Sequence, residues 1–211
     1  GVAAIAAALI ASGQWAAALA VVLAADCYLR PYEVLGLTPR HVVRPRPHLG
    51  GGHRFASLLL FPADEGGRSK TGQTNDSVVM DSSGRAWLTE VLLKYVEKKK
   101  PNERLFPFTS QQFSKMVKAA AKTAGLEAWA VTPHVFRHAG PSHDHLHSTR
   151  SLMDIKRRGR WSSDRSVRRY EKSSAVNARF CEVSDKAISK MQRSDRFLHG
   201  ILSGTVGSPY R

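Results

Sequence analysis

The sequence predicts a mainly α domain, α+β in class, with a small antiparallel sheet, and three features carry that expectation. Apolar residues recur at helical spacing through most of the 211 positions. Two short stretches rich in leucine and valine flank a polar, glycine-containing segment, and prolines and glycines fall where helices open and close.

In chain order, the run from Val2 to Ala25 carries no charge, and its length alone suffices to cross a bilayer. It is mostly alanine, only weakly apolar, is interrupted by Ser12, Gly13 and Gln14, and follows no positive cluster. It is therefore expected as buried helix in a soluble core, with no membrane span and no signal peptide. Gln14 to Leu29 reads as a helix closed by Arg30-Pro31, and Pro31 opens a second short helix over Tyr32 to Leu37. Arg30 thus stands at a helix junction. Thr38 to Gly52 reads as a loop. His53 to Phe61 and Ser77 to Met80 read as two strands of a hairpin whose long basic tip holds Arg68 and Lys70.

Helices are expected over Ser83 to Lys99, stopped by Pro101, and from Thr109 or Ser110 to Ala124, stopped by Gly125. Thr132-Pro133 supplies an N-cap and first turn for the next helix. Past a loop and helix around Ser148 to Arg158, helical segments continue from about Arg165 to Leu202, and residues 203–211, SGTVGSPYR, are expected as a disordered tail. A chain with 42% hydrophobic residues at this length builds one full core, so one domain is expected over residues 1–202. Its abrupt start in an apolar helix reads as a piece of something longer.

Charge narrows the partners. Lysine and arginine number 32 against 17 acidic residues, a net +15, and self-repulsion on that scale calls for a polyanion. Nucleic acid fits, because each neutralised phosphate releases counterions; a basic RNA-binding or ribosome-associated surface is the other reading. Only Cys27 and Cys181 occur, far apart, which argues for a reducing compartment and against a disulfide framework.

Cleaving a phosphodiester by transfer needs a nucleophile, cations for the non-bridging oxygens and an acid for the leaving hydroxyl. In TPHVFRHAG, His134 and Arg137 lie three apart, on one face of the helix that Thr132-Pro133 opens. Arg157, Arg158, Arg160, Arg168, Arg169 and Lys172 bracket Trp161 and Tyr170, a string suited to clamping phosphates, although its KRR also reads as a nuclear-targeting signal. His143, His145 and His147 alternate in SHDHLHS; such residues share a face only on an extended chain, no cysteine is near, and a solvated loop rather than a zinc site is expected.

The stretch RLFPFTSQQFSKMVKAAAKTAGLEAWAVTPHVFRHAG, followed by GRWSSDRSVRRYEK, resembles the core of the tyrosine recombinases of the phage integrase family, and AADCYLRPYEVLGLTPRHV resembles that family's first arginine motif. The resemblance implies the catalytic-domain fold of DNA breaking-rejoining enzymes and a site-specific recombinase or integrase acting through a 3′-phosphotyrosyl intermediate. Carried over residue by residue, Tyr170 is the nucleophile, and Arg30 and Arg137 are the two phosphate-binding arginines. His134 then transfers a proton, with His138 supporting. Trp161, nine residues before Tyr170, occupies a position where many members have histidine and some have tryptophan. Glu33 orients Arg30. Lys70 acts as general acid to the leaving 5′ hydroxyl, preferred over Arg68 because lysine can shed its proton.

The resemblance further implies double-stranded DNA as partner, no metal or other cofactor, a tetramer on DNA, and a location in cytoplasm and nucleoid or in the nucleus. It also implies an amino-terminal DNA-grasping domain, which is not apparent before Gly1. The alternative is a catalytically silent DNA-binding module descended from such enzymes. Three positions depart from the pattern. Gly140-Pro141 follows His138 where relatives continue the helix; a proline inside a helix costs about 3 kcal/mol or a kink, which can displace the next helix while leaving the register of His134 and Arg137. Arg160 separates Gly159 from Trp161, and His41 stands where an aspartate is common.

Overall fold

A computed structural model describes residues 1–61, 63–66, 74–171, 178 and 180–210. The chain is mainly helical with one small antiparallel sheet, as expected from the sequence, and it divides into two compact units, residues 1–31 with 108–211 and residues 32–107. No helix among the described residues is long and apolar enough to cross a membrane.

The first unit is built on two uncharged helices, α1 (Val2–Ala11) and α2 (Trp15–Asp26). The break between them falls at Gly13, whose positive φ of 76° lets the Gln14 amide bond back to the Leu9 carbonyl at 2.8 Å. Because their side chains are mostly alanine, both helices are buried on nearly every side, with Ala4, Ala18 and Ala20 wholly enclosed. Small side chains let neighbours approach closely, so α1 packs against α2, α5 (Ser110–Thr123) and a later helix at Asp185–Arg196, while α2 packs against Pro133–Leu146. α5 is the amphipathic partner: Phe113, Val117, Ala120 and Ala121 face inward, and a reciprocal capping box between Thr109 and Gln112 fixes its start.

In the second unit, α3 (Pro31–Gly36) leads to a sheet of order β1-β2-β3, with β1 at Val42–Val43, β2 at Ser57–Leu60 and β3 at Asp76–Val79. Pairing of Leu58 with Val78 places both on the buried face, and Leu60 follows at the period-two spacing. The predicted first strand is shorter than expected, because 51–54 form a 3-10 turn, and β1 lies in a stretch expected to be loop. The hairpin tip with Arg68 and Lys70 lies outside the described residues. His41 accepts the Thr38 amide at 3.1 Å through Nδ1 and meets the Glu65 carboxylate at 3.0 Å through Nε2, so it serves a local turn. α4 (Trp87–Val96) turns Leu88, Leu92 and Val96 inward.

Further helices of the first unit, among the described residues, are α6 (Pro133–Leu146), α7 (Leu152–Arg158), α8 (Arg165–Arg168), α9 (Asp185–Arg196) and α10 (Leu198–Ser203). α6 runs on through Pro141 to Leu146, so the helix does not end at the proline, and both Gly140 and Pro141 are buried in its packed face. Tertiary packing outweighs the missing amide. The three alternating histidines therefore stand at a helix end, and His143 and His147, four apart, bring their rings to 4.4 Å. The expected disordered tail is also corrected through residue 210: the Trp15 indole donates to the Leu202 carbonyl at 2.7 Å, and Ser208, buried, donates to the Ala7 carbonyl at 2.8 Å.

An alanine core of this kind has no room for larger side chains. Ala18→Leu is expected to destabilise the protein by about 1–3 kcal/mol through overpacking, seen as a lower urea midpoint with an unchanged slope.

Candidate active site

The site lies within the first unit and is organised by α6. Pro133 sits in its first turn with Thr132 extended before it, which sets the register of His134, Arg137 and His138 along one face. The rings of His134 and His138 meet edge to face at 5.1 Å. Arg137 points inward and is 2% exposed. Its guanidinium donates to the Tyr28 carbonyl at 2.6 Å and to the Gly159 carbonyl at 2.5 Å, and lies 4.8 Å over the Trp161 ring. One cation therefore ties the turn after α2, the middle of α6 and the end of α7 together.

The close of α7 positions Trp161. Its amide bonds back to the Lys156 carbonyl at 3.1 Å, and its ring folds onto Gly159, where a Cβ atom would come within 1.8 Å of it. Arg160 between them adopts a left-handed φ of 55°. The extra residue seen in the sequence is thus absorbed in a reversal that only works with glycine at 159.

Tyr170 sits in the 3-10 turn Arg169–Glu171 that follows α8. It is 6% exposed, packed in a small apolar cluster with Tyr28, Ile155 and Val167, with Trp161 at 5.6 Å. Its hydroxyl lies 2.7 Å from Nδ1 of His138. Burial pushes the Tyr170 phenol up to about 12, with Arg169 and Arg137 pulling the other way. Burial, reinforced by His134, Arg169 and Arg137, pushes His138 down to about 4, and burial with Arg137, Arg30 and Arg169 lowers His134 as well. At neutral pH the pair is a protonated phenol against a neutral imidazole.

The structure gathers Arg137, His134, His138, Trp161 and Tyr170 around α6, and Arg30 is near enough for its charge to act on His134. Glu33 belongs to the second unit, where it is buried. Lys172, like Arg68 and Lys70, lies outside the described residues. Of the expected DNA-binding arginines, Arg157, Arg168 and Arg169 are exposed and Arg160 is half-buried. Arg158 corrects the expectation: it turns inward, donating to the Asp26 carbonyl at 2.9 Å, standing 3.7 Å from the Asp26 carboxylate and 5.3 Å over the Tyr28 ring. Sequence reasoning missed Tyr28 and Asp144, and marked Gly140 only as a departure from the family pattern. Tyr28 lies two residues before Arg30, inside the first arginine motif, yet nothing in residue type marks a tyrosine for a left-handed φ of 53°.

A mainly helical frame with a small three-stranded antiparallel sheet is consistent with the catalytic-domain fold of the phage integrases. The model of the Phage integrase family matches residues 2–176, and the chain belongs to that family. No curated protein matches the sequence at a significant level. Membership brings site-specific recombination and integration, and DNA binding, as the family's activity.

The His138 environment predicts an acid limb in stability. An unfolded imidazole takes up its proton near 6.5 and the folded one only near 4, so between these values the unfolded chain binds more protons and stability falls as pH falls. His138→Gln is expected to flatten that part of the stability profile relative to the parent chain, measured by urea unfolding at stepped pH.

Proposed function

We propose that this chain cuts and rejoins double-stranded DNA with Tyr170 as nucleophile. The observation that carries the proposal is the Tyr170 hydroxyl held 2.7 Å from a neutral imidazole nitrogen of His138, on the helix that also bears Arg137. The phenolic oxygen attacks a phosphodiester, forming an O–P bond as the P–O5′ bond breaks, and leaves a 3′-phosphotyrosyl link and a 5′ hydroxyl. The bond energy is kept in that link, so resealing by a hydroxyl of the same or another strand needs no nucleotide.

A phenol near 12 and an imidazole near 4 are too far apart for a standing phenolate–imidazolium pair. The proton therefore passes from the phenol to Nδ1 as the O–P bond forms, and His138 is its acceptor. His134 is the second titratable group of the same wall and handles protons at the phosphate. Arg137 and Arg30 supply charge to the non-bridging oxygens, with the Trp161 indole beside them. The proton for the departing 5′ oxygen comes from Lys70. Arg157, Arg168 and Arg169, exposed around the tyrosine, hold flanking phosphates. Assembly of four copies on DNA follows from the family reading.

The test is covalent trapping on a pool of nicked duplexes of randomised sequence, read as protein–DNA adduct that survives detergent. Adduct is expected from the parent chain and none from Tyr170→Phe; adduct persisting in that variant overturns the nucleophile assignment. Steeply salt-dependent binding without adduct from the parent points instead to a catalytically silent DNA-binding module. His138→Gln is expected to slow adduct formation by about 10²-fold or more at neutral pH, in a single-turnover time course.

A further inference from the structure

Several polar groups of the first unit take no part in strand transfer itself, and they converge on one buried residue. Tyr28 is completely buried, and its backbone sits in the left-handed region at φ 53°, which residues with side chains rarely adopt. That conformation aims its carbonyl at the Arg137 guanidinium, 2.6 Å away.

The side chain is fastened at its far end. The Tyr28 hydroxyl donates to the Asp144 carboxylate, which also receives Arg150 Nε at 3.1 Å and the Thr149 hydroxyl at 3.0 Å. The Arg158 guanidinium covers one side of the ring at 5.3 Å. On the α6 side, Gly140 makes the space: a Cβ there would fall 2.7 Å and 2.8 Å from two Tyr28 ring carbons and 2.0 Å from the Ala25 carbonyl oxygen. Asp144 and Gly140 lie on the same helix as Arg137, so the tyrosine is clamped at ring and hydroxyl by the helix whose arginine its carbonyl holds.

We propose that Tyr28 is a positioning residue for Arg137: the Tyr28–Asp144 hydrogen bond, backed by Arg150, keeps the Tyr28 backbone left-handed, and that backbone fixes the guanidinium over Trp161 in the orientation in which it meets a scissile phosphate. The inference rests on the strand-transfer reading for the phosphate, but its mechanical part concerns the DNA-free protein.

Two measurements separate these. In the free chain with 15N-labelled arginine, the Arg137 Nη protons are expected to be resolved and slow to exchange; Tyr28→Phe and Asp144→Leu accelerate that exchange about tenfold or more, while Asp144→Asn, which keeps an acceptor for the hydroxyl, stays near the parent. Exchange unchanged in both of the first two variants, with folding verified by thermal melting, overturns the proposal whether or not the protein cuts DNA. On nicked duplex at saturating concentration, Tyr28→Phe is expected to lower the adduct rate by on the order of tenfold with half-saturation unchanged. The loss should shrink when the scissile phosphate is replaced by an uncharged methylphosphonate, since the missing interaction is with charge. An equal loss on both substrates overturns the link to the phosphate, and a parent chain that makes no adduct counts against strand transfer while leaving the exchange result decisive for Tyr28.

Discussion

The first unit depends on a buried cation. A guanidinium withdrawn from water costs several kcal/mol unless its donors are met, and Arg137, almost fully enclosed, meets them with backbone carbonyls from residues 28 and 159. Each carbonyl demands an unusual local structure. Tyr28 reaches its place by a left-handed backbone, and Gly159 by lacking the Cβ that would strike Trp161. The hydrogen-bond needs of one side chain thus fix the ends of α2 and α7 against the middle of α6. Trp161, held in that angle, closes the wall on which Tyr170 rests.

Burial does most to set the protonation of the neighbouring groups, and the same cation adds to it at both histidines. Arg137 and Arg169 oppose charge on His138, and burial does the larger part, so the imidazole is neutral while the phenol it touches keeps its proton. A chain of net +15 concentrates positive charge, yet at its centre places two imidazoles made hard to protonate. The contrast is local: exposed arginines at 157, 168 and 169 face solvent, whereas Arg158 is spent on Asp26 and the Tyr28 ring.

These details mark where sequence stops being informative. The helices of the first unit were legible because their apolar periodicity and their Thr-Pro, Gly and Arg-Pro punctuation agree. The grouping of His134, Arg137 and His138 was legible because a helix places positions three and four apart on one face. Tyr170 was reached through resemblance and order along the chain. By contrast, β1 is two valines among prolines and arginines, too short for any period to show. Pro141 looked like a helix breaker because local cost is visible in sequence and compensating burial is not. SGTVGSPYR is polar and glycine-rich, but Ser208 finds a carbonyl of α1, a contact across 201 positions that composition does not encode. Arg158 looked like its neighbours in IKRRGRW; only the fold decides which arginine of a basic string turns inward.

The protonation pattern has a further consequence on the strand-transfer reading. Before DNA arrives, His138 is a poor base, because neighbouring arginines and a dry setting both oppose its proton. A phosphodiester brings one negative charge into that cluster and offsets the repulsion from Arg137 and Arg169, so the proton affinity of His138 rises as the phosphate seats. The same charge does nothing to favour a phenolate, which means that proton transfer gains only if the O–P bond forms with it. Nucleophile and base then become competent together, at a phosphate held by Arg137 and not in its absence. A tyrosine that is 6% exposed and protonated in the DNA-free protein is the resting state such coupling requires.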